Sequence, residues 1–115
     1  MWRKEKKMST NTENVQGFHA VCSVTGGNPA TYNRQRGFTA AIVRTGVGDH
    51  TFTLSEGLDL AGGNGVCLAG LNAALGGQLA VETVSATQLR VRTFDAAGVA
   101  AERSFWLALM PIGPN

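Results

Sequence analysis

The groups best equipped for chemistry crowd into Arg44 to Leu54, RTGVGDHTFTL, where two glycines precede an adjacent Asp49-His50 pair. A phosphate-cradling loop needs G-x-x-x-x-G-K-[ST], or G-x-G-x-x-G opening a helix. Gly46-Val-Gly48 carries Thr51 where the third glycine belongs, Gly63-Asn-Gly65 carries Leu68 there, and no lysine follows a glycine. Acid–base work needs a histidine oriented by a carboxylate. Neighbours on an extended chain point to opposite faces, so Asp49 and His50 are not expected to form a dyad. No G-x-S-x-G pentapeptide is present to set up a serine nucleophile. His50 is therefore read as a surface residue opening a strand, and His19 as a strand residue facing outward or into an interface.

Metal chemistry fares no better. His19 and Cys22 are three apart, which on a strand separates them onto opposite faces, and no C-x-x-C or H-x-x-x-H spacing occurs. Asp59 and Asn64 lack the carboxylates of a calcium loop. Cys22 and Cys67 sit on separate apolar runs and read as small buried hydrophobes, kept reduced in a cytoplasmically made chain. No catalytic, cofactor-binding or metal residue is assigned, and the expectation is a protein that is not an enzyme and carries no cofactor.

The chain has 115 residues, enough for one domain with its own core. It is 43% hydrophobic and 16% charged, which excludes disorder by composition. Its apolar runs are shorter than the roughly 18 residues that span a bilayer, so no membrane partner is expected. The basic start, Met-Trp-Arg-Lys-Glu-Lys-Lys-Met, is followed by polar Ser9 to Gln16 where a signal peptide would be apolar. Synthesis in the cytoplasm without export by the general route is the expectation. Met8 is a second candidate start.

Residues 1 to 13 hold four basic residues against two acidic ones, while the remainder balances six arginines against six carboxylates. The basic excess, with every lysine, sits on the arm. A neutral body does not favour nucleic acid, because phosphate binding follows cation density. The sharper reading of the arm, 1–16, is a docking segment with Trp2, Arg3, Lys4, Lys6 and Lys7 as its contacts; the plainer one is a solvated tail. Thirteen extended residues reach about 40 Å, far enough to cross onto a neighbour.

Residues 17–115 read as a single domain of strands punctuated by Gly, Pro, Asn and Asp. Strands are expected over Phe18–Thr25, Phe38–Arg44, Thr51–Leu54, Val66–Leu71, Leu79–Val84, Leu89–Phe94 and Ser104–Ile112. The stretch ATYNRQRG (30–37) is expected to be a polar loop, and Asp95-Ala-Ala-Gly98 a turn capped by its aspartate. The last strand places Phe105, Leu107 and Leu109 on one face and Trp106, Ala108 and Met110 on the other, so both faces are apolar. Phe38–Val43 behaves similarly. A strand with two apolar faces is covered on both sides. Phe38, Ile42, Trp106, Ala108 and Met110 are the candidate oligomer interface. The fold expected is all-β: a small antiparallel β-sandwich with an extended N-terminal arm.

Three segments carry a likeness. Gly37–Leu54 fits "G-F-T … V-x-R-T-G-x-G-x-[YH]-T-x-T-L", Thr87–Ala100 fits "T-x-x-x-V-x-T-F-D-x-x-G-x-A", and Glu102–Met110 fits "D/E-x-x-F" followed by an apolar strand. In these the chain resembles small all-β structural proteins of tailed bacteriophages and prophage-like elements; His50 stands where an aromatic residue is expected. The resemblance implies a jelly-roll-like sandwich that assembles as a homotrimer on the virion. It further implies a capsid decoration (cement) protein docked on the major capsid protein, with localisation in the virion. The alternative is a tail- or fibre-associated module binding a receptor or glycan through the loop 26–37 and Tyr32. Trp2 and Trp106 are further candidate stacking platforms, although Trp106 reads more readily as core.

Overall fold

Period-two alternation divides this chain into two layers. Asp49–Leu54 buries every second residue and so does Gln88–Phe94, and a strand of that kind must lay one face on a second sheet. The structure, a computed structural model, describes residues 18–58 and 65–112. They form eight strands: β1 (Ala20–Thr25), β2 (Thr31–Arg36), β3 (Phe38–Gly46), β4 (Asp49–Leu54), β5 (Gly65–Leu71), β6 (Gln78–Thr83), β7 (Gln88–Phe94) and β8 (Phe105–Pro111). One sheet has the order β2-β1-β8-β5 and the other β3-β4-β7-β6, and every pairing is antiparallel. The expected all-β sandwich is the fold found. The arm residues 1–16, including all five docking candidates, lie outside the described residues.

The core fills the space between the layers. Phe52 and Phe105 meet edge to face at 5.7 Å, and Phe38 and Tyr32 each lie 6.0 Å from Phe52. Leu107 and Leu109 from β8 and Leu89 and Val91 from β7 complete it. Offset and edge-on ring contacts of this kind add to the burial of apolar area itself.

Two expectations need correction here. Residues 31–36 are not a loop but the edge strand β2, paired to β1 through a bulge between Ser23 and Val24. Their polar sequence fits that place, because an edge strand exposes most of its side chains and only Tyr32 turns inward. Phe38 is not an interface residue: it is 3% exposed and belongs to the ring cluster. Ile42 also packs against the core. Both sit on β3, whose register with β4 shifts twice, and a contiguous apolar run gives no sign of which residues such a strand turns inward.

The change of sheet between β2 and β3 is made at Gly37 alone. Its φ is +90°, and a Cβ there would come within 2.7 Å of the His19 carbonyl oxygen. Glycine alone tolerates both demands. The turn at Asp95 forms as expected: its Oδ1 accepts from the amides of Ala97 and Val99, and Gly98 takes φ +85°.

Candidate functional site

The two outer faces of the sandwich differ in kind. On the second sheet, β4, β7 and β6 turn Asp49, Arg90, Arg92 and Glu82 outward. Arg90 grips both carboxylate oxygens of Asp49, through Nε at 2.8 Å and Nη2 at 2.5 Å, and Arg92 reaches Glu82 at 3.1 Å. The Arg90 hydrogen bonds hold the Asp49 carboxyl down to about 2. Asp49 is thus a fixed anion in an ion-pair lattice, unsuited to accepting protons at neutral pH. Apart from exposed Val43 on β3, this face is dominated by paired charges.

The neighbouring residue points the other way. His50 is 2% exposed, inside the sandwich, and its Nε2 accepts the Ala30 amide at 3.1 Å. The expectation of a surface histidine is overturned. The physical reason is parity: His50, Phe52 and Leu54 occupy alternate positions of β4 and share its buried face. Asp49 and His50 do lie on opposite faces, so no dyad forms. The ring pins the Gly27–Ala30 turn against β4. Arg44 and Glu102, an ion pair at 2.8 Å, close the same end of the sandwich. Among the described residues, the buried Glu102 Oε1 and Tyr32 hydroxyl find no hydrogen-bond partner.

Burial pushes the His50 pKa down from its ordinary value. The folded state therefore resists a proton that the unfolded chain takes up near pH 6.5. The contribution is complete above that pH and is lost as pH falls from there through the lower folded value. Thermal melts should show the midpoint falling between pH 7.5 and 5. His50→Gln, which can still accept from Ala30, should flatten that slope; equal slopes in both proteins would refute this role.

The first sheet turns a different surface outward. Trp106, Ala108 and Met110 from β8 are flanked by Val66 and Leu68 of β5 and Val21 of β1. Trp106 is 43% exposed, so its reading as core is corrected, while Ala108 is covered by its neighbours. The indole lies across Gly70, the residue paired with it on β5. A Cβ there would meet ring atoms at 2.7–2.8 Å, so only glycine leaves this seat open. On the other side of the indole a groove of about 440 Å³ runs to Arg34 and Arg36 on β2, floored by Val21 and Ala108. Three of the five candidate interface residues, Trp106, Ala108 and Met110, therefore share this face. Val66 and Leu68, which pattern reading passed over, join them. Their signal was the alternation of β5, where exposed Val66 and Leu68 alternate with half-buried Cys67 and Ala69.

Tyr32, the stacking candidate of the alternative reading, is half-buried and packs its ring against Phe38 and Phe52. Cys22 is a buried free thiol, Cys67 is free and half-buried, and burial pushes their pKa values up to about 12 and about 11. His19 Nε2 lies 2.6 Å from the Glu56 carbonyl and ties the start of β1 to the segment after β4.

Comparison with known proteins returns no match: no family model, no curated protein and no solved structure is similar to this chain. The likeness to virion proteins rests on the three sequence segments alone.

Proposed function

We propose that this chain is a non-enzymatic structural component of a bacteriophage virion, a decoration protein that joins copies of itself and docks on the major capsid protein. The observation that carries the assembly reading is the contrast between the two outer faces. One is mainly an ion-pair lattice, with Val43 its exposed large apolar residue on β3. The other presents Trp106, Val66, Leu68 and Met110 around covered Ala108. A contiguous apolar surface of this kind, rimmed by Arg34 and Arg36, is what a subunit contact requires. The virion setting is supported by the turn and strand segments Gly37–Leu54, Thr87–Ala100 and Glu102–Met110, and that resemblance favours three copies.

Trp106→Glu tests the reading. Light scattering on the wild-type chain should give a mass of more than one copy, and the variant should run as a monomer. Trp106 is only half-buried, so the variant's stability should fall by about 1 kcal/mol, near the average for a single substitution. Wild-type protein should co-sediment with purified capsids and the variant should not. A monomeric wild type that ignores capsids would sink the proposal.

A further inference from the structure

Four strands form the edges of this sandwich, and three of them carry features that discourage pairing with another chain. β2 bears Arg34 and Arg36 and is bulged against β1; β3 shifts register twice; β6 places Glu82 in the ion-pair lattice. Charges and bulges are the usual devices that blunt a sheet edge. β5 has neither. Gly65–Leu71, GVCLAGL, contains no charge and no proline, and it pairs with β8 through seven consecutive positions without a shift. The Asn72 amide donates to the Ser104 carbonyl, which sets the alternation of this ladder. By that alternation Cys67, Ala69 and Leu71 direct their amides and carbonyls to the open side. Among the described residues no backbone hydrogen bond from another element reaches β5 on that side.

We propose that the open edge of β5 pairs with the β5 of a second copy, antiparallel and two-fold, with Leu68 facing Leu68 across the axis. That register overlaps all seven residues. It joins Cys67 to Ala69 and Gly65 to Leu71 of the partner copy in hydrogen-bonded pairs, so each outward backbone group finds a partner. On the outer face it sets Val66 opposite Gly70 of the partner copy, where it would pack beside the indole that already lies across that glycine. No charges oppose one another, whereas two copies of β2 would bring arginine against arginine. The occupant is a second copy because the strand complements itself: isologous contacts need one patch that serves both sides. The pairing would merge two four-stranded sheets into one of eight and make the apolar faces of both copies continuous.

This inference rests on the self-association in the proposed function and differs from it in number, since a two-fold contact gives even-numbered assemblies. The test uses the full chain with Cys22→Ala and Cys67→Ala. Leu68→Cys would place two thiols at a non-hydrogen-bonded pair, with Cα atoms about 4.5 Å apart, within disulfide range. Mild oxidation should give the disulfide dimer as the main species. Val66→Cys, which would face Gly70, should remain largely uncrosslinked, as should Val43→Cys on β3. Ala69→Pro, which deletes an outward amide, should abolish association in light scattering while circular dichroism stays that of a β-protein. A trimer, or an oligomer in which Leu68→Cys crosslinks no better than Val43→Cys, overturns the β5 pairing and leaves self-association standing. A monomer at every concentration overturns both.

Discussion

Phe52→Ala is expected to lower the unfolding free energy by about 3–5 kcal/mol. The ring is fully buried and stands at the centre of the aromatic cluster, 6.0 Å from Tyr32, 6.0 Å from Phe38 and 5.7 Å from Phe105. The four rings belong to four strands, two in each sheet, so alanine would leave a void bounded by both layers, which neither can fill without moving against the other. Close packing makes such a void costly, because the lining atoms lose partners outright. Urea unfolding followed by far-ultraviolet circular dichroism reads the loss as a shift in midpoint at constant slope. A loss near the roughly 1 kcal/mol of an average substitution would mean that the cluster relaxes and does not hold the layers together.

Gly48→Ala is the second large effect, and its cause is the backbone. Gly48 ends the two-residue turn between β3 and β4 with φ +61°. Left-handed backbone alone costs a non-glycine residue about 1–2 kcal/mol. Here a methyl would also stand 2.6 Å from the carbonyl oxygens of both Thr93 and Ala101. Those carbonyls cannot retreat freely. The Ala101 oxygen accepts the Thr93 hydroxyl at 2.6 Å, and the Thr93 amide donates to Gly48 itself at 2.8 Å. Gly98→Ala supplies the control: its φ is +85°, but among the described residues nothing lies within 4 Å of the new methyl. The difference between the two variants in urea isolates the cost of the close approach. Equal losses would show that conformation alone accounts for both.

These two sites show what pattern reading reaches. The glycine turn and alternating strand of RTGVGDHTFTL were legible, because turn chemistry and period-two burial are local. So was the division of β8 into two faces, Phe105, Leu107 and Leu109 against Trp106, Ala108 and Met110, although not that Trp106 stands exposed. The burial of His50 was available from its parity with Phe52 and Leu54, but its polarity argued the other way; the compensating partner, the Ala30 amide, sits 20 residues earlier. The strand at 31–36 was hidden because an edge position removes the apolar alternation that marks strands. The seat of Trp106 was hidden for a different reason. Gly70 lies 36 positions before it, and only the β5–β8 register brings them together. Which apolar residues of β3 face inward likewise depends on bulges that no local rule specifies.

The order of strands also bears on how the chain is made. β1 and β8, the first and last strands of the described residues, are neighbours in the middle of one sheet, and β5 has β8 as its partner there. During synthesis β5 must therefore wait, unpaired, until residues 105–111 have emerged from the ribosome. A chain cut short before Phe105 has one complete sheet and fragments of the other. Closure of this sheet is therefore gated by β8, with distant contacts closing late as in other folds of high sequence separation. Only a chain translated through Pro111 can complete the sheet that carries the apolar face.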